Sequence, residues 1–321
     1  MIENASFAVK EGGVRLDVAL LLHFTSSTRA FVREAIANGD VSVIQPGGGA
    51  PSVARTKGLK LRGGETIAVR RLAEESDNQV RPDNSVKVVP VFSDDAILAF
   101  DKPTGMPVQP LSRSETGTLM NGVVARWPEC APLGDRPLMA GAIHRIDADT
   151  SGLVLVARTA QSFESMRAQF ASQSVKKTYL ALVEGAIAAG GTLEGELIHD
   201  PTVPFCRMVD VRRARLTRAQ VAAAKPLYAA TEFRPVAHTT CGNEERTLLE
   251  VVIYTGVTHQ IRAQLAGAGM HIINDRLYGA FAVENQNGHC LHSLGADFIH
   301  PVSGIPVSIR TRYPAWATND S

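Results

Sequence analysis

The sequence predicts an α+β fold, in which a body built on a central, mainly antiparallel mixed sheet flanked by helices follows a small α+β module. Three observations carry that expectation. Strand-like runs outnumber helical ones, and the helices do not alternate with strands as they would around a doubly wound parallel sheet. A polar, acidic stretch, AEESDNQVRPDNSV (73–86), contains Pro82 and no apolar periodicity, which marks a linker between residues 1–72 and 87–321. Apolar side chains make up 45% of the 321 residues, enough for a sizeable core.

In the module, Leu16, Val18, Ala19 and Leu22 recur at helical spacing. A second helix is expected within 26–40, with Ser26 or Ser27 as N-cap and Gly39 at the C-cap. Its apolar face is Phe31, Val32, Ala35 and Ile36, while Arg29 and Arg33, four residues apart, point together on another face. VSVI (41–44) reads as a strand, QPGGGAPS as a turn-rich insertion, and LRGGETIAVRR as a turn and a closing strand.

In the body, Val86, Val88 and Val89 and then Ile97–Phe100 read as two strands joined by a Ser-Asp-Asp turn, and KPTG (102–105) breaks the second. LVLVAR (153–158) is a buried strand and SFESMRAQFASQ (162–173) an amphipathic helix. KKTYLALVEG (176–185) and RTLLEVVIYTG (246–256) are further strands, and HQIRAQLAGAG (259–269) is a helix with a glycine stop.

Composition removes several classes of function. The N-terminal residues lack a basic start followed by an apolar run, so no signal peptide is expected. No apolar stretch approaches the ~20 residues of a membrane span. Cys130, Cys206, Cys241 and Cys290 form no CxxC pair and are widely spread, so they read as reduced thiols of a cytoplasmic protein and not as a zinc site. The net charge is only +1, but residues 1–72 carry ten Lys or Arg against six Asp or Glu, so basic charge gathers at the N-terminal end. GxxxxGK[ST], GxSxG and HExxH are all absent, and the histidines do not pair at ligand spacing with Cys or carboxylates.

What remains is the run GAIHRIDADTSG (141–152). It packs His144, Arg145, Asp147, Asp149, Thr150 and Ser151 between apolar flanks, directly before a buried strand. A polar turn whose Asp caps backbone amides is one reading. Yet a turn does not require His, Arg and two Asp together, and charges of both signs beside a core strand are what a cleft site presents.

HRIDADTSGLVLVAR closely resembles the HRLDxxTSGLLLLAK signature of the bacterial pseudouridine synthases that modify large-subunit ribosomal RNA and sometimes transfer RNA. Other segments match in order: DKPTGMPV (101–108), KKTYLALVEG, TGVTHQIRAQLAGAGMHIINDRLYG (255–279) and LHSLGADFIHP (291–301). The module resembles the alpha-L RNA-binding module through RLD (15–17), the S…RAxV run within 27–32, GDVSV (39–43) and GGETI (63–67). Gly47–Gly49 stand where a tighter turn is usual.

The resemblance implies an isomerase that needs no cofactor and no metal. Its partner would be RNA, 23S ribosomal RNA in the first place, with no membrane involved and the protein a monomer. It assigns Asp147 as the catalytic carboxylate, acting as nucleophile on ribose carbon 1′ or as base toward a glycal; sequence leaves both routes open. Arg262 corresponds to the arginine that pairs with it, since a carboxylate withdrawn from water needs a cation to stay charged. Tyr179 matches the residue that stacks on the flipped uracil, Arg145 would fill the gap in the RNA or hold a phosphate, and Ile261 would wall the base pocket. His144 and Thr150 would shape the turn. Arg29, Arg33, Lys57 and Lys60 are the RNA-binding candidates of the module.

Two features depart from the pattern. Val257 stands where the family has Arg, and RMVDVRRARLTRAQ (207–220) brings five Arg against one Asp, as a solvated loop or as added RNA contacts. The alternatives are a transfer RNA pseudouridine synthase, an RNA-binding or ribosome-assembly factor without catalysis, and an unrelated hydrolase using Asp147 and Asp149 as carboxylates sharing one strand face.

Overall fold

The computed structural model describes residues 1–203, 207–214, 216–242, 244–280 and 287–318; Cys206 and Arg215 fall outside them. The chain forms two compact units, Met1–Gln79 and Val80–Ser321. The stretch 73–86 is shared between them. Ala73 is buried in the first core, and Glu74 accepts from the N-terminal ammonium at 2.8 Å. Val80 and Val88 belong to the second core, where the Asp83 amide donates to Asn121.

The first unit runs β1 (Ile2–Ala8), α1 (Leu16–His23), α2 (Arg29–Asn38), β2 (Val41–Ile44), β3 (Ser52–Val53) and β4 (Thr66–Leu72). Its sheet is ordered β1-β4-β2-β3. The N-cap of α2 is Thr28, whose hydroxyl accepts from the Phe31 amide, and not Ser26 or Ser27. Those two hydroxyls are spent instead on the Glu74 carboxylate and the Ala73 carbonyl. Gly39 closes α2 with φ 76°.

The second unit runs β5 (Pro90–Ser93), β6 (Ile97–Lys102), α3 (Leu119–Arg126), β7 (Ser151–Ala157), α4 (Ala160–Ala171), β8 (Lys176–Glu184), β9 (Gly191–His199), β10 (Met208–Asp210), α5 (Arg218–Ala223), β11 (Leu227–Cys241), β12 (Glu244–Ile253), α6 (Gln260–Gly267), β13 (Leu291–Ile299) and β14 (Pro306–Arg310). Among the described residues these make one ten-stranded sheet, β10-β9-β11-β12-β8-β13-β7-β6-β5, with β14 beside β13. Every pairing is antiparallel except β13 with β7. The architecture is therefore α+β with a mainly antiparallel mixed sheet.

Strand β5 starts at Pro90, later than the valines suggested. Val86 and Val88 pack onto α3 at Gly122 instead of extending the strand. The 207–220 stretch is not simply a loop: its start is the edge strand β10 and its end begins α5. Gly152 sits where β7 meets β13, with φ 108°; a side chain there would overlap the Ser293 backbone. Cys130 and Cys290 are buried and Cys241 is exposed. No helix among the described residues is long and apolar enough to cross a membrane.

Candidate active site

Residues 143–147 start alongside β7, where the Ile143 amide donates to the Leu155 carbonyl, and lead into a turn at Ala148 and Asp149, with the Thr150 amide donating to the Asp147 carbonyl at 3.2 Å. Asp147 and Asp149 thus lie in a turn and not on a strand, which removes the shared strand face that a paired-carboxylate hydrolase would use. Neighbouring groups fix this turn from every side. The fully buried Lys102 ammonium donates to the carbonyls of Ala148 and Pro103, both at 2.8 Å. The Thr104 hydroxyl donates to the Asp149 carbonyl, and Thr150 hydrogen-bonds His289 at 2.7 Å. His144 accepts from the Leu155 amide and stacks on Phe170. Burial pushes the Lys102 pKa down to about 8, although Asp149 and Asp147 oppose the shift.

The Asp147 carboxylate faces α6. Its Oδ2 accepts from Arg262 Nη1 at 2.7 Å. The rest of that guanidinium is held by Asp275, with Nε to Oδ2 at 2.7 Å and Nη2 to Oδ1 at 2.9 Å. Burial alone would lower the Arg262 pKa, but Asp275 and then Asp147 raise it, so the cation is permanent. The two carboxylates differ in one decisive respect. The Asp275 side chain is 1% exposed and fully committed to the arginine, whereas that of Asp147 is 28% exposed and open to a substrate. Arg262 also lies 5.1 Å from the centre of the Tyr278 ring.

Asp147 and Arg262 line a cavity of about 400 Å³, a size typical of small-molecule sites. Tyr179, Ile261 and Arg145 line it as well. Tyr179 projects from β8 and is 7% exposed; burial raises its phenol pKa to about 12, against a hydrogen bond with Ser293. Ile261 is buried in the main core, and Arg145 is exposed. Val257 is half-buried on the cavity wall and packs on the cluster of Leu197, Met208, Ala229, Ala263 and Tyr278. Arg29, Arg33, Lys57 and Lys60 are exposed on the first unit. The loop carrying the two lysines bonds through its backbone to the start of α1. Among the described residues, no group of three His, Cys, Asp or Glu is placed to hold a metal ion.

Sequence reasoning assigned no role to His259, Asp275, Tyr278 or Lys177. Lys177 donates to the carbonyls of Tyr254 and Thr255 at 2.9 and 2.7 Å, and burial lowers its pKa to about 8. His259 Nε2 stands 3.7 Å from Asp147 Oδ2. For Asp275 a signal was present: a buried guanidinium has five N–H donors, more than one carboxylate satisfies, and the quoted motif contains NDRLYG.

The buried histidines around the turn carry a prediction. Burial pushes the pKa of His144 down to about 3 and those of His289 and His292 to about 4, from an ordinary value of 6.5. Between those values the unfolded chain binds more protons than the folded one. The stability these groups contribute is therefore complete above pH 6.5 and lost as the pH falls toward 4. The urea midpoint is expected to drop across that window; a flat profile would contradict this account of the three imidazoles.

The model of the family described as RNA pseudouridylate synthase matches residues 96–267. The chain is similar to the ribosomal large subunit pseudouridine synthase D of Xanthomonas campestris pv. campestris, with 32% identity over 94% of this chain and 86% of that protein. It is also similar to the protein of the same name from Nitrosomonas europaea, with 31% identity over 91% of this chain and 79% of that protein. Among solved structures it resembles human RNA pseudouridylate synthase domain containing 1 in fold. The TM-score is 0.58 at 20% identity, covering 73% of this chain and 87% of that one.

Proposed function

Because the chain belongs to the RNA pseudouridylate synthase family, we propose that it isomerises uridines to pseudouridine in large-subunit ribosomal RNA, with Asp147 as the reacting carboxylate. The observation that carries the reading is the asymmetry of the carboxylate pair on Arg262. One is buried and holds the guanidinium in place, and the other stands at the cavity with an oxygen free of it.

The reaction breaks the bond between ribose carbon 1′ and uracil N1, turns the base, and rejoins it through C5. N1 gains a proton and C5 loses one, so nothing is oxidised. Asp147 either attacks carbon 1′ or removes the ribose proton at carbon 2′, and Arg262 holds it in position for both. A uridine in folded RNA reaches the cavity only when flipped out of its stack. Tyr179 and Ile261 are suited to hold the uracil between an aromatic and an aliphatic surface. Arg145, exposed at the rim, is suited to the RNA around the vacated position. We assign Arg29, Arg33, Lys57 and Lys60 of the first unit to phosphate contacts, which position an RNA without reading its sequence. A ribosomal RNA substrate also implies work in the cytoplasm.

The test is tritium release from large-subunit ribosomal RNA transcribed with 5-tritiated uridine, with a transfer RNA transcript alongside. Release from the ribosomal transcript is expected. Release from transfer RNA alone would move the substrate, and release from neither would sink the reading.

A further inference from the structure

His259 occupies an unusual position. It is the N-cap residue of α6 but its side chain makes no capping hydrogen bond, and its backbone is left-handed with φ 52°. Such conformations persist where the surroundings impose them, often at functional sites. Here the surroundings act on the imidazole ring. Nδ1 lies 3.2 Å from the Tyr278 hydroxyl, and Nε2 lies 3.7 Å from Asp147 Oδ2.

The direction of these contacts follows from one backbone group. The Met208 amide can only donate, and it donates to the Tyr278 oxygen at 2.8 Å. The hydroxyl proton must then point elsewhere, and among the described residues the acceptor in reach is His259 Nδ1. Burial raises the Tyr278 pKa to about 12, so that proton stays on the phenol. Burial also lowers the His259 pKa, with Asp147 opposing, so the ring is neutral. A neutral ring that accepts at Nδ1 carries its proton on Nε2. At 3.7 Å this N–H is too far from Asp147 for a hydrogen bond. Among the described residues it is a donor left unspent beside the proposed reacting carboxylate, on the wall of the cavity.

We infer that His259 is a catalytic hydrogen-bond donor to uracil O2, and that Tyr278 is the positioning residue that fixes its tautomer. The inference rests on the proposed uridine isomerisation. When the C1′–N1 bond breaks, its electron pair moves to the base and spreads from N1 onto O2 and O4. O2 is the base oxygen next to the scissile bond, so it is the one that a donor beside Asp147 reaches. No proton leaves His259; the donor stabilises charge that appears only as the bond breaks, which is where a fixed dipole acts most strongly.

The test uses the full-length protein and ribosomal transcripts made with 5-tritiated uridine or 5-tritiated 2-thiouridine, whose sulfur is a weaker acceptor. His259→Asn keeps a residue that tolerates the left-handed backbone but shortens the reach of the donor. It is expected to lower kcat about 100-fold and leave KM for the RNA unchanged. The unaltered protein should turn over the 2-thio transcript more slowly than the normal one, and His259→Asn should lose most of that difference. Tyr278→Phe should lower kcat in the same way. Nitrogen-15 NMR of the unaltered protein should show His259 protonated at Nε2, and Tyr278→Phe should show a tautomer mixture.

Protonation at Nδ1 in the unaltered protein would overturn the inference, as would normal turnover by His259→Asn or an undiminished 2-thio effect in that variant. No tritium release by the unaltered protein would overturn the functional reading, and this one with it.

Discussion

Asp147→Asn is expected to reduce pseudouridine formation to background, a loss on the order of 10,000-fold or more, while RNA binding persists. The substitution keeps the shape of the side chain and leaves one oxygen to accept from Arg262 Nη1, the 2.7 Å contact of the unaltered protein. The arginine stays fully engaged with Asp275, so the cavity should keep its form. What disappears is the charge that, in the proposed reaction, attacks carbon 1′ or takes the ribose proton. Tritium release reports turnover, and filter retention of the same transcript reports binding. Activity within tenfold of the unaltered protein would remove Asp147 from the chemistry.

Arg262→Ala should cost both activity and stability. The guanidinium has two carboxylate partners, and removing it leaves Asp275 with its side chain 1% exposed and its charge unpaired. Breaking a buried pair from one side costs about 3–5 kcal/mol, which should appear as a clear drop in the urea midpoint. Asp147 simultaneously loses the donor that holds it. A second variant separates the two losses. Arg262→Met with Asp275→Leu removes both buried charges together, so stability should largely return while turnover stays absent. An unchanged midpoint in Arg262→Ala would show that Asp275 does not depend on the arginine. Recovery of turnover in the double variant would show that Asp147 does not need it.

The parts of the site that were legible in the sequence are those whose chemistry is local. HRIDADTSG crowds charge beside an apolar strand, and HQIR places an arginine on a short helix. The rest depends on contacts that no spacing encodes. Tyr278 matters because the Met208 amide, 70 residues away, sets the direction of its hydroxyl. Lys102 lies within an expected strand-turn, but its contribution is a hydrogen bond to a carbonyl 46 residues on.

The fold shows the same division. VSVI and LVLVAR are apolar enough to announce themselves. By contrast, β9 (GTLEGELIH) and β11 (LYAATEFRPVAHTTC) carry acidic, polar and proline residues on largely exposed faces, and their pairing partners are what make them strands. The cap of α2 failed for a simpler reason: three consecutive hydroxyl residues are equally good candidates until the Glu74 carboxylate and the Ala73 carbonyl claim two of them.

The position of β13 governs how the protein comes into being. This strand lies between β7 and β8, which precede it by more than a hundred residues, and carries the only parallel pairing among the described strands. Pairings between strands so far apart in sequence are the kind that form slowly. The Asp147 turn leads into β7 and Tyr179 lies on β8, so their spacing in the folded chain is set by the strand between them. The geometry of the candidate site thus depends on a segment that carries neither residue.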